Sequence, residues 1–91
     1  MSPSLERFTQ VSVTPNPTVD KINLQIESQI NLGQVQLVIS NSMGQTLLKT
    51  TAKIPAGQQH LQFDTASYSA GLYIINIYSD QGVLQTKFLK Q

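Results

Sequence analysis

Apolar and polar residues alternate with a period of two along most of the chain. This period is typical of β-strands that bury one face. Six runs show it clearly, at residues 11–13, 22–26, 35–39, 61–63, 73–77 and 84–88. Residues 46–53 are also strand-like, and no window of ten or more residues sustains the i, i+3, i+4 stripe of an amphipathic helix. The pattern therefore predicts an all-β protein.

Turn-forming residues separate these runs. Pro, Asn, Gly, Ser and Asp favour tight turns because of their backbone preferences and their short polar side chains. They cluster at residues 15–17, 31–33, 41–44, 54–57 and 79–82. Six or seven short strands at this spacing predict a β-sandwich or a β-barrel.

A tyrosine near the most apolar run favours a sandwich of immunoglobulin type. Tyr73 follows the small residues Ser69, Ala70 and Gly71 at the start of that run. Ig-like domains place there a tyrosine whose hydroxyl bonds back to upstream backbone. We therefore expect an Ig-like antiparallel sandwich of about seven strands. Residues 64–70 are expected to cross between the sheets, with one helical turn capped by Asp64.

Length, charge and composition narrow the class of protein. The 91 residues allow one small domain, which we place at residues 11–91 after a linker or leading arm at residues 1–10. The formal charge of +1 provides no electrostatic footprint for nucleic acid or anionic lipid. The longest apolar run is broken by Asn76 and is too short to cross a bilayer. Because cysteine is absent, the sequence excludes disulfides, thiolate metal sites and thiol catalysis.

Candidate catalytic groups are few. His60 is the only histidine, and its position in the polar phase of a strand indicates a solvated residue. Thr46 with Lys49, and Thr50 with Lys53, have the Ser-x-x-Lys spacing, but that chemistry needs a helix to bring hydroxyl and amine together. Asn16-Pro17-Thr18 has the glycosylation spacing with an excluded proline. We therefore expect neither catalytic residues nor a cofactor, and predict that the chain is not an enzyme.

The acidic residues do not have the spacing of a calcium loop. Isolated carboxylates in turns usually cap backbone groups or add solubility. A calcium site assembled from several loops stays open as an alternative. The residues concerned are Asp20, Glu27, Asp64 and Asp80.

An Ig-like accessory module that binds glycan or mediates adhesion is the alternative function. Sugars stack on exposed flat aromatic rings, and the chain has no tryptophan. Tyr68 and Tyr78 are the candidates for such a surface. Surface tyrosines on strands more often serve cross-strand packing.

Two further segments stand out, one near each end of the alternating pattern. Pro15-Asn16-Pro17 fixes the backbone at two positions directly after the first run, which predicts a rigid bend. The last run ends as Lys87-Phe88-Leu89-Lys90-Gln91, with apolar residues between two lysines. The lysines are either gatekeepers on an edge strand or part of a terminal strand that a receptor reads by strand addition or end capture.

Together these segments resemble the C-terminal sorting domain of type IX secretion system cargo, type A. The resemblance extends over residues 11–91 and rests on the order and spacing of four motifs rather than on any one of them. The motifs are Val11-Ser12-Val13-Thr14-Pro15-Asn16-Pro17-Thr18, Asn41-Ser42-Met43-Gly44-Gln45, Ala70-Gly71-Leu72-Tyr73-Ile74-Ile75 and Lys87-Phe88-Leu89-Lys90.

The resemblance implies a sorting signal at the end of a larger exported protein of a Gram-negative bacterium. Such cargo passes through the periplasm and the outer-membrane translocon to the cell surface or the medium. A shuttle β-barrel protein recognises the domain, and a cell-surface sortase removes it, commonly joining the cargo to an anionic lipopolysaccharide. The implied partners are this translocon, its shuttle protein, the sortase and the N-terminal cargo domain, without membrane insertion. The isolated domain is expected to be a monomer or a weak edge-strand dimer.

The resemblance also assigns roles to individual residues. Pro15, Asn16 and Pro17 match the N-terminal motif, Gly71 and Tyr73 match the central motif, and Lys87, Phe88, Leu89 and Lys90 match the terminal motif. Gly44, Gly71 and Tyr73 are expected to preserve the fold, whereas Lys87 to Gln91 are expected to contact the translocon.

The same resemblance bears on the N-terminal part of the chain. Thr14 stands where the family often has an aromatic residue, so a contact through that side chain is in doubt. The sortase is expected to cut in or before residues 1–10, because proteases need extended, accessible backbone. Met1 is then expected to be the start of an excised domain.

Overall fold

Seven β-strands follow one another in the computed structural model, which describes residues 7–15 and 17–91. They form two antiparallel sheets, ordered β1-β2-β5 and β4-β3-β6-β7, which pack as a sandwich. Within these residues, no helix is long and apolar enough to cross a membrane. The architecture confirms the predicted all-β sandwich. The strands are β1 (Thr9–Thr14), β2 (Lys21–Ser28), β3 (Gly33–Asn41), β4 (Thr46–Ile54), β5 (Gly57–Asp64), β6 (Gly71–Ser79) and β7 (Gly82–Lys90).

The core lies between the two sheets and consists of alternate residues from both. Successive side chains of a strand point to opposite faces, so a period of two places every second residue inward. Most central inward positions carry large aliphatic or aromatic side chains, and their burial removes apolar surface from water. The buried set is Val13, Ile22, Leu24, Ile26, Leu32, Val35, Leu37, Ile39, Ile54, Tyr73, Ile75, Ile77, Leu84 and Phe88.

The four-stranded sheet is centred on β3 and β6, and β7 forms one of its edges. β6 and β7 form a hairpin whose pairing runs from Ser79–Gly82 at the turn to Gly71–Lys90 at the far end. β3 pairs with β6 through Asn41–Tyr73 and with β4 on its other side. An irregularity between Ile39 and Ser40 shifts the β3–β4 register.

The segment between β5 and β6 crosses from one sheet to the other, as expected. It contains a hydrogen-bonded turn in which the Tyr68 N–H donates to the Thr65 carbonyl at 2.9 Å. Asp64 caps this turn, because its carboxylate accepts a hydrogen bond from the Ala66 N–H at 2.9 Å. The helical turn expected here is replaced by this tighter turn.

The first sheet begins within the predicted leading arm. β1 starts at Thr9, which lies opposite Ser28, and the Phe8 carbonyl accepts a hydrogen bond from the Gln29 N–H at 2.7 Å. Residues 1–6 lie outside the described residues, so the boundary proposed at residues 10 and 11 stays a prediction. We call this end of the sandwich, where Phe8 meets Gln29, the Phe8 end.

Candidate recognition site

The bend after β1 is joined to the end of β7 by backbone hydrogen bonds. The Thr18 N–H donates to the Leu89 carbonyl at 2.8 Å, and the Gln91 N–H donates to the Thr18 carbonyl at 2.9 Å. These bonds form an isolated parallel bridge between Thr18 and Lys90. The N-terminal and terminal motifs, which lie far apart in the sequence, are therefore neighbours in the structure.

Thr18 itself is fully buried beneath the bend. Its hydroxyl donates to the Lys21 carbonyl at 2.6 Å, which ties the bend to the start of β2. Pro15 and Pro17, which precede Thr18 in the sequence, are both exposed. The Thr14–Pro15 peptide bond is cis. Asn16 lies outside the described residues. Thr18, which follows the prolines, is thus anchored both to the start of β2 and to the end of β7.

The central motif faces the terminal motif across the β6–β7 hairpin. Gly71 lies opposite Lys90, Leu72 opposite Leu89, and Tyr73 opposite Phe88. Gly71 has a φ of 149°, a conformation that side-chain-bearing residues rarely adopt, so glycine is favoured where the chain enters β6. All three motifs therefore meet at one end of the sandwich, which we call the motif end.

Tyr73 makes the predicted corner bond. Its hydroxyl donates to the Ser69 carbonyl at 2.5 Å, and this closes the crossing segment onto the start of β6. Its ring stacks on Phe88 with centroids 5.3 Å apart and contacts Tyr68 at 5.2 Å. Burial, together with the nearby Tyr73 phenol and Asp64 carboxylate, raises the pKa of Tyr68 above its ordinary value of 10.0. The corner is thus a three-ring cluster at the motif end.

The β3–β4 turn completes this end, because Asn41 at its start lies opposite Tyr73. The Asn41 side-chain oxygen accepts hydrogen bonds from the N–H groups of Met43 and Gln45, each at 3.0 Å. Gly44 has a φ of 87°, and a Cβ built on it would meet no atom within 4 Å. Glycine is therefore needed here for its backbone freedom rather than for space.

The terminal motif divides into buried and exposed positions. Phe88 is 1% exposed and Lys90 is 7% exposed, because both point toward the core in phase with Leu84. The Lys90 ammonium group donates to the Gln91 backbone oxygen at 3.0 Å, while its aliphatic stem is buried. Lys87, Leu89 and Gln91 are exposed. Contact of residues 87–91 with the translocon stays a prediction.

Other candidate groups do not converge on a reactive site. His60 is exposed on β5, as predicted, and the Thr-x-x-Lys pairs lie on strand β4. Across residues 7–15 and 17–91, no three His, Cys, Asp or Glu side chains are grouped as metal ligands. Tyr68 and Tyr78, the candidates for a glycan surface, lie toward opposite ends of β6, so they do not form one aromatic platform.

Comparison with known families bears directly on these motifs. A family model described as "Secretion system C-terminal sorting domain" matches residues 12–91. The chain belongs to this family. A sorting domain of this kind is a C-terminal signal for type IX secretion, so it marks a protein that is secreted to the cell surface or beyond. The family is not an enzyme family, and no curated protein matches this sorting domain.

The assignment of individual motif residues stays a prediction, and the role of Thr18 as the link between the two ends of the chain was not predicted from the sequence. The sequence around Thr18 contains no pattern that predicts its bridge to Lys90, which lies far away along the chain. The one available signal was its position directly after Pro17, because proline restricts the backbone and so fixes the direction in which the chain leaves the bend.

Proposed function

We propose that the domain directs an N-terminal cargo of the same polypeptide through the periplasm to the type IX translocon. A shuttle β-barrel protein recognises the motif end, and a cell-surface sortase then removes the domain. The observation that carries this proposal is the Thr18–Lys90 bridge, because this buried contact holds the exposed Pro17 close to the exposed Leu89 and Gln91, which come from the two ends of the family match. A receptor that reads this feature detects a folded domain rather than a linear peptide.

The point at which the chain enters the sandwich supports a cleavage site in or before residues 1–10. The described part of the chain starts at Arg7 and enters β1 at the Phe8 end, whereas the motif end lies at the other end of β1 and β7. A cut in residues 1–10 is therefore consistent with a folded domain, because it removes no strand of the core beyond the start of β1. The recognised and cleaved regions are thus at opposite ends of the sandwich.

The proposal is tested by fusing residues 1–91 to a reporter that is exported to the periplasm of a host with the type IX system. We expect surface delivery that requires both the domain and the translocon. Equal delivery of an untagged reporter, or undiminished delivery in a strain without the translocon, would contradict the sorting function. The size of the reporter before and after delivery measures removal of the domain.

A matched pair of lysines tests recognition at the motif end. Lys87→Ala and Lys53→Ala change exposed residues on the same face of the same sheet, but Lys53 lies beside Gln34 toward the Phe8 end. We expect Lys87→Ala to lower surface delivery and Lys53→Ala to leave it unchanged. Equal delivery by both variants would place recognition elsewhere on the domain.

A further inference from the structure

The two sheets have outer faces of different chemistry. On the three-stranded sheet, every outward side chain is polar. Those residues are Gln10, Ser12, Thr14, Lys21, Asn23, Gln25, Glu27, Gln58, His60, Gln62 and Asp64. The outer face of the β6–β7 hairpin instead carries apolar residues near both ends. Its cross-strand pairs are Leu72–Leu89, Ile74–Lys87, Asn76–Gln85 and Tyr78–Val83. Exposed apolar surface of this kind, confined to one face, is a feature of interaction sites.

Four of these side chains form a compact patch at the motif end. Leu72 and Leu89 lie opposite each other and are 42% and 45% exposed, and the next pair is the half-buried Ile74 opposite the exposed Lys87. Directly opposed side chains in an antiparallel pair are close enough to act as one surface. We call Leu72, Ile74, Lys87 and Leu89 the Leu72 patch. It belongs to both the central and the terminal motif.

The charge around the Leu72 patch has a single sign. The outward residues of the four-stranded sheet include Lys49, Lys53 and Lys87, and the outward positions of β3, β4, β6 and β7 carry no Asp or Glu. The polar pair Asn76–Gln85, joined by a 2.9 Å hydrogen bond, separates the patch from Asp80 in the hairpin turn. Lys87 is thus a cation in an apolar setting with no carboxylate across the strand.

We propose that the Leu72 patch docks an apolar protein surface carrying a carboxylate that pairs with Lys87. This deepens the proposed function, on which it rests, by assigning the face and the chemistry that the shuttle protein presents. Complementary charge within a small apolar contact gives a specific but reversible complex. Reversibility suits a carrier that must release its cargo.

The same charges disfavour two other occupants. If two copies paired through their patches, the contact would bury two lysines and no acid, and uncompensated like charges destabilise a contact. Anionic membranes bind proteins through clusters of several basic residues, and the patch contains one lysine. A protein surface that combines apolar and acidic groups can contact all four residues of the Leu72 patch favourably.

Affinity for the shuttle protein tests this docking surface. The whole chain is immobilised, and the purified shuttle β-barrel protein of the delivery host is the probe. We expect Leu72→Thr and Lys87→Glu each to weaken binding about tenfold or more. Threonine retains strand preference, so Leu72→Thr removes apolar surface without disturbing β6. Raising the salt concentration should weaken wild-type binding more than binding of Lys87→Glu.

Lys21→Glu is the matched control, because it makes the same change of charge at the same end on the other sheet. It also places two acids opposite each other, since Lys21 lies opposite Asp64, so it tests whether mild destabilisation alone reduces binding. We expect binding within twofold of wild type. Equal losses in Lys21→Glu and Lys87→Glu would overturn the patch.

Other outcomes are equally decisive. Wild-type binding that both Leu72→Thr and Lys87→Glu leave intact overturns the patch while the sorting function stands. Absence of reporter delivery by the wild-type domain overturns the sorting function itself. If the substitutions leave shuttle binding unchanged but weaken binding to vesicles with anionic lipid, the patch is assigned to a membrane instead. If they leave shuttle binding unchanged but reduce self-association in sedimentation, the patch is assigned to a second copy of the chain.

Discussion

The phenol of Tyr73 connects three parts of the motif end at once. Its hydroxyl holds the crossing segment at Ser69, and its ring stacks on Phe88 of the last strand and contacts Tyr68 of the crossing segment. The side chain is 4% exposed, and its hydrogen bond to Ser69 is partly buried. The stability of this end therefore depends on two separable properties of one residue.

Substitution of Tyr73 separates those properties. Tyr73→Phe should lower the free energy of unfolding by about 0.5–1.5 kcal/mol, because it removes only the corner bond. Tyr73→Ala should cost about 3–5 kcal/mol, because it also leaves a cavity beside Phe88. Urea denaturation measures both, with Tyr78→Phe as an exposed control. Equally mild effects of the two Tyr73 substitutions would contradict the buried corner.

The raised pKa of Tyr68 predicts a dependence of stability on alkaline pH. Its folded-state pKa lies above the unfolded value of 10.0, so unfolded chains lose this proton at lower pH than folded ones. The stabilisation is fully present below pH 10.0 and declines as the pH rises from there toward the folded-state value. Denaturation at increasing pH should therefore show a decline that is shallower in Tyr68→Phe. Identical slopes in the two proteins would contradict the shift.

The burial of Lys90 was not predicted from the sequence. Its charge and its match to the terminal motif predict an exposed contact residue, yet the strand phase places it inward. A lysine can occupy such a position because its long stem is apolar and its ammonium group reaches a backbone oxygen at the margin of the core. The alternation that places Leu84 and Phe88 inward also places Lys90 inward, and it indicates the burial of Lys90 better than the charge does.

At the scale of elements, the strands were predictable because burial of one face imposes a period of two. β2, β3 and β6 carry large aliphatic or aromatic residues at their central inward positions, and each strand was located from the sequence. β4 is less distinct, because Thr50 and Ala52 occupy inward positions of an edge strand. The order of strands within the sheets was not predictable, since alternation contains no information about which strands pair.

The last strand is integral to the core as well as to the signal. Deleting residues 87–91 removes Phe88 from the core and the partners of Thr18. Loss of a buried phenylalanine alone costs about 3–5 kcal/mol, a large share of the stability of a small domain. The deletion should therefore abolish cooperative thermal unfolding in circular dichroism, whereas Lys87→Ala should change stability by less than about 0.5 kcal/mol.

That comparison separates folding from recognition in any export assay. A deletion that still melted cooperatively near the wild-type temperature would show that β7 is dispensable for the fold. In that case, its loss of export could be attributed to recognition alone. With an unfolded deletion, only point substitutions at exposed positions such as Lys87 report on contact with the secretion machinery.

At the scale of the whole molecule, one core joins both sheets, and this predicts a single unfolding transition. Ile22 lies in the three-stranded sheet and Ile75 in the four-stranded sheet, and both are fully buried. Ile22→Val and Ile75→Val should each cost about 0.5–1.5 kcal/mol. Because small single domains usually unfold cooperatively, each should shift one common transition.

Two spectroscopic probes check this cooperativity. The three tyrosines lie in or next to β6, so tyrosine fluorescence reports on the four-stranded sheet, whereas far-ultraviolet circular dichroism reports on both sheets. The two transitions should coincide in the wild type and in both variants. A fluorescence transition that was insensitive to Ile22→Val would indicate sheets that unfold independently.

The chain enters the sandwich at the Phe8 end, and its motifs meet at the other end of a molecule 37 Å long. In the proposed pathway, a carrier that grips the motif end leaves the junction with the cargo uncovered. Holding and cutting therefore do not compete for the same surface. In this proposed pathway, cleavage takes place while the carrier still holds the domain, so the cargo never leaves its carrier before it has been cut.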